Sequence, residues 1–211
     1  MEQLFEFIDG MCKKYSIDES HGLKHAKGTY LKARVLLETV ANVSDEERRV
    51  ALYSAALHDT CDSKYTDVYT ASMEIKEWLL NQGIIREEAE AIISIITTMS
   101  YSKLKATAAG GPPVYPDHGI WQRSYHVARH ADLLEGYIVA RCFLYNVHIH
   151  PEKSDEEHWT LVMNLFDRRV LRYVEDGWIK MPGAIEMVPD LIKEAHRCFN
   201  QRLLDWAEPS V

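Results

Sequence analysis

The chain has 211 residues, 46% of them hydrophobic and 27% charged, and 32 acidic against 24 basic side chains give a formal net charge of −8. That length suits one sizeable core without requiring a second domain, and the composition is ordinary for a soluble globular protein. The acidic balance argues against duplex nucleic acid as a partner, because phosphate contacts need basic clusters. No apolar run of about 18 residues argues for a membrane span.

The opening segment, MEQLFEFIDGMCKKY, is acidic and amphipathic and lacks the basic start and apolar centre of a signal peptide. Cys12, Cys61, Cys142 and Cys198 are scattered with no CxxC pair, which favours free thiols in a reducing compartment. Both features point to a cytoplasmic protein.

In chain order, Leu4, Phe5, Ile8 and Met11 recur at helical spacing. A second helix follows HGLKHAKGTY and runs through LKARVLLETVAN. Ser44-Asp-Glu-Glu47 has the form of a capping box, opening a helix through RRVALYSAALHD. TASMEIKEWLLNQ is a further helix with Gly83 as its stop, and EEAEAIISIITTM another. Residues 106–120, ATAAGGPPVYPDHGI, carry enough Gly and Pro to form a loop placed either to be mobile or to cover a site. One long helix is expected over WQRSYHVARHADLLEGYIVARCFLYN, bent near Gly136. Ser154-Asp-Glu-Glu157 is a second capping box, and HWTLVMNLFDRRVLRYVED and VPDLIKEAHRCFNQRLLDWA read as the last helices. The expectation is an all-α, single-domain helical bundle over residues 1–211, with a site-bearing core at about 20–140 and accessory helices at 150–211.

The segment SAALHDTCDSKY ends a core-like helix with His58 and Asp59, and Asp62 and Lys64 lie just beyond. A buried carboxylate is costly unless it is paired or binds a metal, so partners are needed. His21 and His25 lie four apart on what reads as one helical face, and Asp132 sits between Ala128, Ala131 and Leu133. Adjacent residues such as His58 and Asp59 differ by about 100° around a helix, so they converge on one ion only beside a groove or where the helix ends.

The order His25, His58–Asp59, Asp132 resembles the HD phosphohydrolase superfamily. SHGLKHA is similar to its His-x-x-x-His entry, AALHDTCDSKY to its hydrophobic-HD segment followed by an acid, and ARHADLLEGYIVAR to the helix bearing the last aspartate. The resemblance implies an HD-domain-like helical fold and a divalent metal held by His25, His58, Asp59 and Asp132. Two imidazoles and two carboxylates suit Mn, Fe, Co, Ni or Zn better than Mg alone. In related stringent-response alarmone hydrolases an acid at the place of Asp62 acts on the attacking water, and Lys64 would then contact phosphate. His21 is either a phosphate contact or a loop histidine, and Ser100, Ser102 and Lys103 are candidate phosphate ligands. One departure stands out. Several HD subgroups carry a His-Ser-Phe-Ser-like segment, and here MSYSK puts Met99 in the place of that histidine.

Other residues have plainer readings. His126 and His130 lack the glutamate of a zincin motif and read as a solvated helix face rather than a second metal site. Cys61 reads as a small hydrophobe rather than a nucleophile. Trp121 and Tyr125 are candidates to stack on a base, and Glu135 either supports the ligands or is solvated.

The expected function is a metal-dependent phosphohydrolase acting on a nucleotide or similar small phosphorylated metabolite. The alternative is a metal-retaining HD domain with a ligand-binding or regulatory role. A homo-oligomer is compatible with either, with the C-terminal helices as one candidate dimer face.

Overall fold

Apolar residues at helical spacing become ten α-helices, and no strand occurs among the described residues of this computed structural model, which are 1–108, 111 and 113–209. The helices are α1 (Glu2–Tyr15), α2 (Leu23–Glu38), α3 (Asp45–Leu57), α4 (Val68–Asn81), α5 (Arg86–Thr98), α6 (Tyr101–Thr107), α7 (Gln122–Glu135), α8 (Val139–Ile149), α9 (Asp155–Arg168) and α10 (Pro182–Gln201). Both expected capping boxes form: Ser44 and Glu47 exchange bonds at the start of α3, and Ser154 and Glu157 do so at the start of α9. Gly83, at φ 82°, follows the end of α4, a conformation that glycine adopts at little cost.

The centre of the bundle is the mutual packing of α2, α3 and α7. Each contributes fully buried alanines: Ala33 on α2, Ala51 and Ala55 on α3, Ala128 and Ala131 on α7. Small side chains at such contacts let helix axes approach closely. Polar side chains projecting from the three helices can therefore meet.

Several boundaries differ from the sequence expectation, and α2 begins at Leu23, within HGLKHAKGTY rather than after it. The long helix is two, α7 and α8, broken at Gly136–Ile138. There the amides of Tyr137 and Ile138 bond the carbonyls three residues back, tightening the chain into a turn. A Cβ on Gly136 would lie 3.0 Å from the Leu133 carbonyl, so glycine suits the break. The helix expected through Arg168 and beyond stops there, and a 3₁₀ turn over Val170–Arg172 follows. α10 starts at Pro182, earlier than VPDLIKEAHRC suggests, and Pro189 lies inside it. Pro182 stands in the first turn of α10, where a missing amide hydrogen costs nothing.

Of the 106–120 loop, Ala109, Gly110 and Pro112 lie outside the described residues, and α6 takes in its first residues through Thr107. Tyr115 in that loop rests against the Arg129 guanidinium and donates to the Gly177 carbonyl.

Candidate metal centre

His25 projects from α2, Asp132 from α7, and His58 and Asp59 lie in a 3₁₀ turn, His58–Cys61, that continues α3. The change of helix type falls at the doublet, the circumstance in which neighbouring side chains can converge. The two Nε2 atoms are 3.2 Å apart. Asp59 Oδ2 lies 3.3 Å from His25 Nε2 and 3.2 Å from His58 Nε2. Asp132 Oδ1 lies 3.5 and 3.4 Å from the same two nitrogens. One ligand atom each from His25, His58 and Asp132 falls within 4.8 Å of the others. Donors held about 2.1 Å from one ion sit about 3 Å apart at right angles, so this spacing suits a first-row divalent cation.

The tautomers sharpen the point. His58 Nδ1 donates to the Ala55 carbonyl at 2.9 Å, which leaves its Nε2 with a lone pair. On the far side of the His25 ring, Nδ1 faces Glu135 Oε2 at 3.8 Å. Two imidazole lone pairs and two carboxylates then converge in a buried site. Asp59 Oδ2, His25 Nδ1 and Glu135 Oε2 all lack a hydrogen-bond partner among the described residues. Four acceptors in that arrangement demand positive charge, supplied by a metal ion or by protons.

The electrostatics agree. Burial depresses the pKa of His58, but the carboxylates of Asp59 and Asp132 outweigh it and hold the ring well above its ordinary value. Burial and Arg141 also press His25 downward, yet Asp132 and Asp59 carry it above the usual range. Burial would raise Asp59 and Asp132, and the facing His58 pulls both well below normal. Glu135 is buried behind His25 and pairs with Lys32. Burial acts to raise its pKa, but His25 and Lys32 hold the carboxyl below its usual range. An imidazole that ligates through one nitrogen commonly has its other nitrogen set by a carboxylate in this way.

A cavity of about 290 Å³ opens beside the cluster, with His58, Asp59 and Asp132 in its wall. The sequence-selected His21, Asp62, Lys64, Ser100, Ser102 and Lys103 line it too, as does Met99. Asp62 Oδ1 accepts from the Lys64 amide at 2.9 Å, and the Lys64 ammonium lies 3.8 Å from Asp62 Oδ2. Ser100 and Ser102 share a hydrogen bond of 2.9 Å, and Lys103 donates to the Thr97 carbonyl at 3.0 Å.

His21 does not share a helical face with His25. It ends a 3₁₀ turn, Glu19–His21, ahead of α2, and its Nδ1 contacts Asp18, Ser20 and Tyr65. HxxxH spacing cannot distinguish one helix from a turn that leads into one.

The His126–His130 stretch is not a solvated face. His130 is buried, its Nδ1 donates to the His126 carbonyl, and its Nε2 accepts from the Lys180 and Met181 amides. The neighbouring Arg129 is equally buried and donates to the Trp178 carbonyl at 2.7 Å. These residues tie α7 to the chain ahead of α10. Cys61 is buried, with its thiol pushed up to about 12 by burial, which fits a packing role. Tyr125 is fully buried against His118, and neither it nor Trp121 lines the cavity.

Sequence reasoning left Arg141 unplaced and passed over Tyr101, Tyr145, Arg169 and Tyr173, all of which line the cavity. Arg169 and Tyr173 come from the segment expected to be accessory. The one available signal was the charged break, DRRVLRY, in an otherwise apolar helix face.

No protein-family model and no curated protein matches the chain. Among solved structures, the crystal structure of a structural-genomics target from Lactobacillus plantarum is similar, with a TM-score of 0.65 and 19% identity over 94% of this chain and 92% of that one. A likeness at that level of identity establishes the shared fold alone.

Proposed function

We propose that this chain is a metal-dependent phosphohydrolase of the HD type, acting on a nucleotide or similar small phosphorylated metabolite. The observation that carries the reading is the convergence of His25, His58, Asp59 and Asp132 beside a cavity that also holds Lys64, Lys103, Arg141 and Arg169. His25, His58, Asp59 and Asp132 would hold a divalent ion of the Mn, Fe, Co, Ni or Zn class. Such an ion polarises a phosphoryl oxygen and lowers the pKa of bound water toward neutrality.

The chain's own residues supply the rest. Asp62, on the cavity wall three residues after Asp59, orients the attacking water and takes its proton. The water oxygen bonds to phosphorus as the bridging P–O bond breaks, and the leaving oxygen departs with that electron pair. Lys64 and Lys103 offset charge on the phosphoryl oxygens. Arg141, donating to the Ser20 carbonyl at 2.7 Å, is fixed in place to do the same.

A metal-retaining, ligand-binding role is the second reading, and Met99 favours it. Met99 is buried in the cavity wall, and a thioether cannot shuttle a proton. Phosphate release from a panel of nucleoside mono-, di- and triphosphates, with Mn²⁺ or Co²⁺ loaded, separates the two. Turnover that is lost in His58→Ala supports the hydrolase, and a fully metallated protein that hydrolyses nothing supports the binding role. Cytoplasmic residence belongs to the same proposal. It is supported by four cysteines that are all free and by the absence, among the described residues, of a helix long and apolar enough to cross a membrane.

A further inference from the structure

Two arginines reach the cavity from separate elements, both anchored through Nε and the second also stacked on a ring. Arg141, on α8, donates through Nε to the Ser20 carbonyl at 2.7 Å. Arg169, just after α9, donates through Nε to the Tyr173 hydroxyl at 2.8 Å, and its guanidinium carbon lies 3.7 Å from the centre of the Tyr101 ring. In each case the terminal nitrogens, Nη1 and Nη2, have neither a hydrogen-bond nor a carboxylate partner among the described residues. A guanidinium pinned through Nε and stacked on an aromatic ring presents a rigid two-nitrogen fork. That shape matches two oxygens of one phosphoryl group.

The forks come from different elements and line one cavity. Arg141 lines the cavity together with Asp59 and Asp132. Arg169 stands on the wall built by Tyr101 and Tyr173. A single phosphoryl group can fill one such fork, so two forks in one cavity suit two phosphoryl groups. The charge balance points the same way. Lys64, Lys103, Arg141 and Arg169 face Asp59, Asp62 and Asp132, a surplus of one positive charge that a divalent ion raises to three. A monophosphate ester carries at most about two negative charges near neutral pH. A cavity of about 290 Å³ is also at the small end of ligand sites, which suits a phosphate chain with its organic part at the mouth.

Resting on the phosphohydrolase reading, we infer that the substrate is an organic di- or triphosphate, cleaved at a phosphoanhydride bond, and that Arg169 determines this choice by gripping the phosphoryl group farther from the metal. Water then adds to one phosphorus, the bridging oxygen leaves on the other phosphate, and the proton passes to Asp62.

The test uses the full chain loaded with Mn²⁺. Wild-type protein should hydrolyse a nucleoside triphosphate with kcat/KM at least about tenfold above that for the matching monophosphate. Arg169→Gln should lose about tenfold more kcat/KM on the triphosphate than on the monophosphate, mainly through KM, and Arg169→Lys should recover part of the loss. Equal turnover of mono- and triphosphate, or an equal loss on both in Arg169→Gln, overturns the inference.

Calorimetry with inorganic tripolyphosphate and orthophosphate keeps the two claims apart. If tripolyphosphate binds more tightly, and Arg169→Gln abolishes that preference while metal binding is retained, the subsite stands even where no hydrolysis is seen. If the wild-type protein shows no preference for tripolyphosphate, the subsite fails even where hydrolysis is seen.

Discussion

Glu135 occupies the space that a side chain on Gly28 would need. A Cβ at Gly28 would lie 2.6 Å from the Glu135 carboxyl carbon and 2.7 Å from each of its oxygens. Gly28 is one turn beyond His25 on α2, so its bare surface lets the carboxylate lie 3.8 Å from His25 Nδ1 while pairing with Lys32. Glycine to alanine inside a helix ordinarily stabilises by about 1 kcal/mol. Here Gly28→Ala is expected to do the opposite and to weaken metal binding about 10–100-fold, the usual effect of disturbing the partner of a metal-bound histidine. Calorimetric titration with Co²⁺ measures the affinity. Unchanged affinity with gained stability would show that Glu135 does not position His25.

The metal-free protein should have a distinctive pH profile. His58 and His25 have raised pKa values in the folded chain, the first well above normal. Their contribution to stability is therefore full below the unfolded value of about 6.5 and is lost as pH rises through the folded values. His130 and His126 behave oppositely, lowered by burial to about 3 and about 4, so stability also declines as pH falls below about 6.5. The melting temperature after chelation should peak near pH 6.5 and fall on the alkaline side. Added metal should remove the alkaline fall, because the cation replaces the protons. A metal-free melting temperature that climbs steadily from pH 6.5 to 8.5, values set by the same reference pKa of about 6.5, would refute this.

Asp62 has no place among the ligands, yet it shares the cavity wall with them. Asp62→Asn preserves shape and the acceptor for the Lys64 amide while removing the base. The variant should bind metal normally and lose about 10²–10⁴-fold in kcat. Single-turnover phosphate release together with metal content measures both quantities, and near-normal turnover would mean that another group accepts the proton.

His130 should matter for folding and leave the metal in place. Its Nε2 accepts from the Lys180 and Met181 amides at 3.0 and 3.3 Å, so His130→Ala removes the acceptor of two part-buried amides as well as opening a void. A loss of about 2–5 kcal/mol is expected. Urea unfolding gives the loss, and elemental analysis should give wild-type metal content. Loss of a metal equivalent in this variant would instead mark the HxxxH pair as a second metal site.

The helices were legible because they depend on local rules, whereas the grouping of His25, His58, Asp59 and Asp132 was expected only from the resemblance. Apolar spacing set the helix faces, Ser-x-x-Glu set two starts, and the His-Asp doublet at a helix end announced buried charge. What the sequence concealed depends on contacts between distant segments. The role of His130 is set by amides fifty residues away in the chain, and the break at Gly136 is set by a tight turn that helical periodicity runs straight through. Arg169 reads as one more charged residue on a helix until the chain turns at Val170–Arg172 and stacks it on Tyr101. His21 shows the limit of spacing itself, since four residues can span a turn and a helix start as readily as one helical face.

The central claim is that His25, His58, Asp59 and Asp132 share one cation. Elemental analysis of protein reloaded with Co²⁺ or Mn²⁺ after chelation, run beside His58→Ala and Asp132→Ala, addresses it directly. The expected result is tightly held metal at one equivalent or more per chain, with one equivalent missing from each variant and helical content unchanged. Wild-type protein that takes up no metal, or variants that retain all of it, would show that these side chains are held together by protons alone.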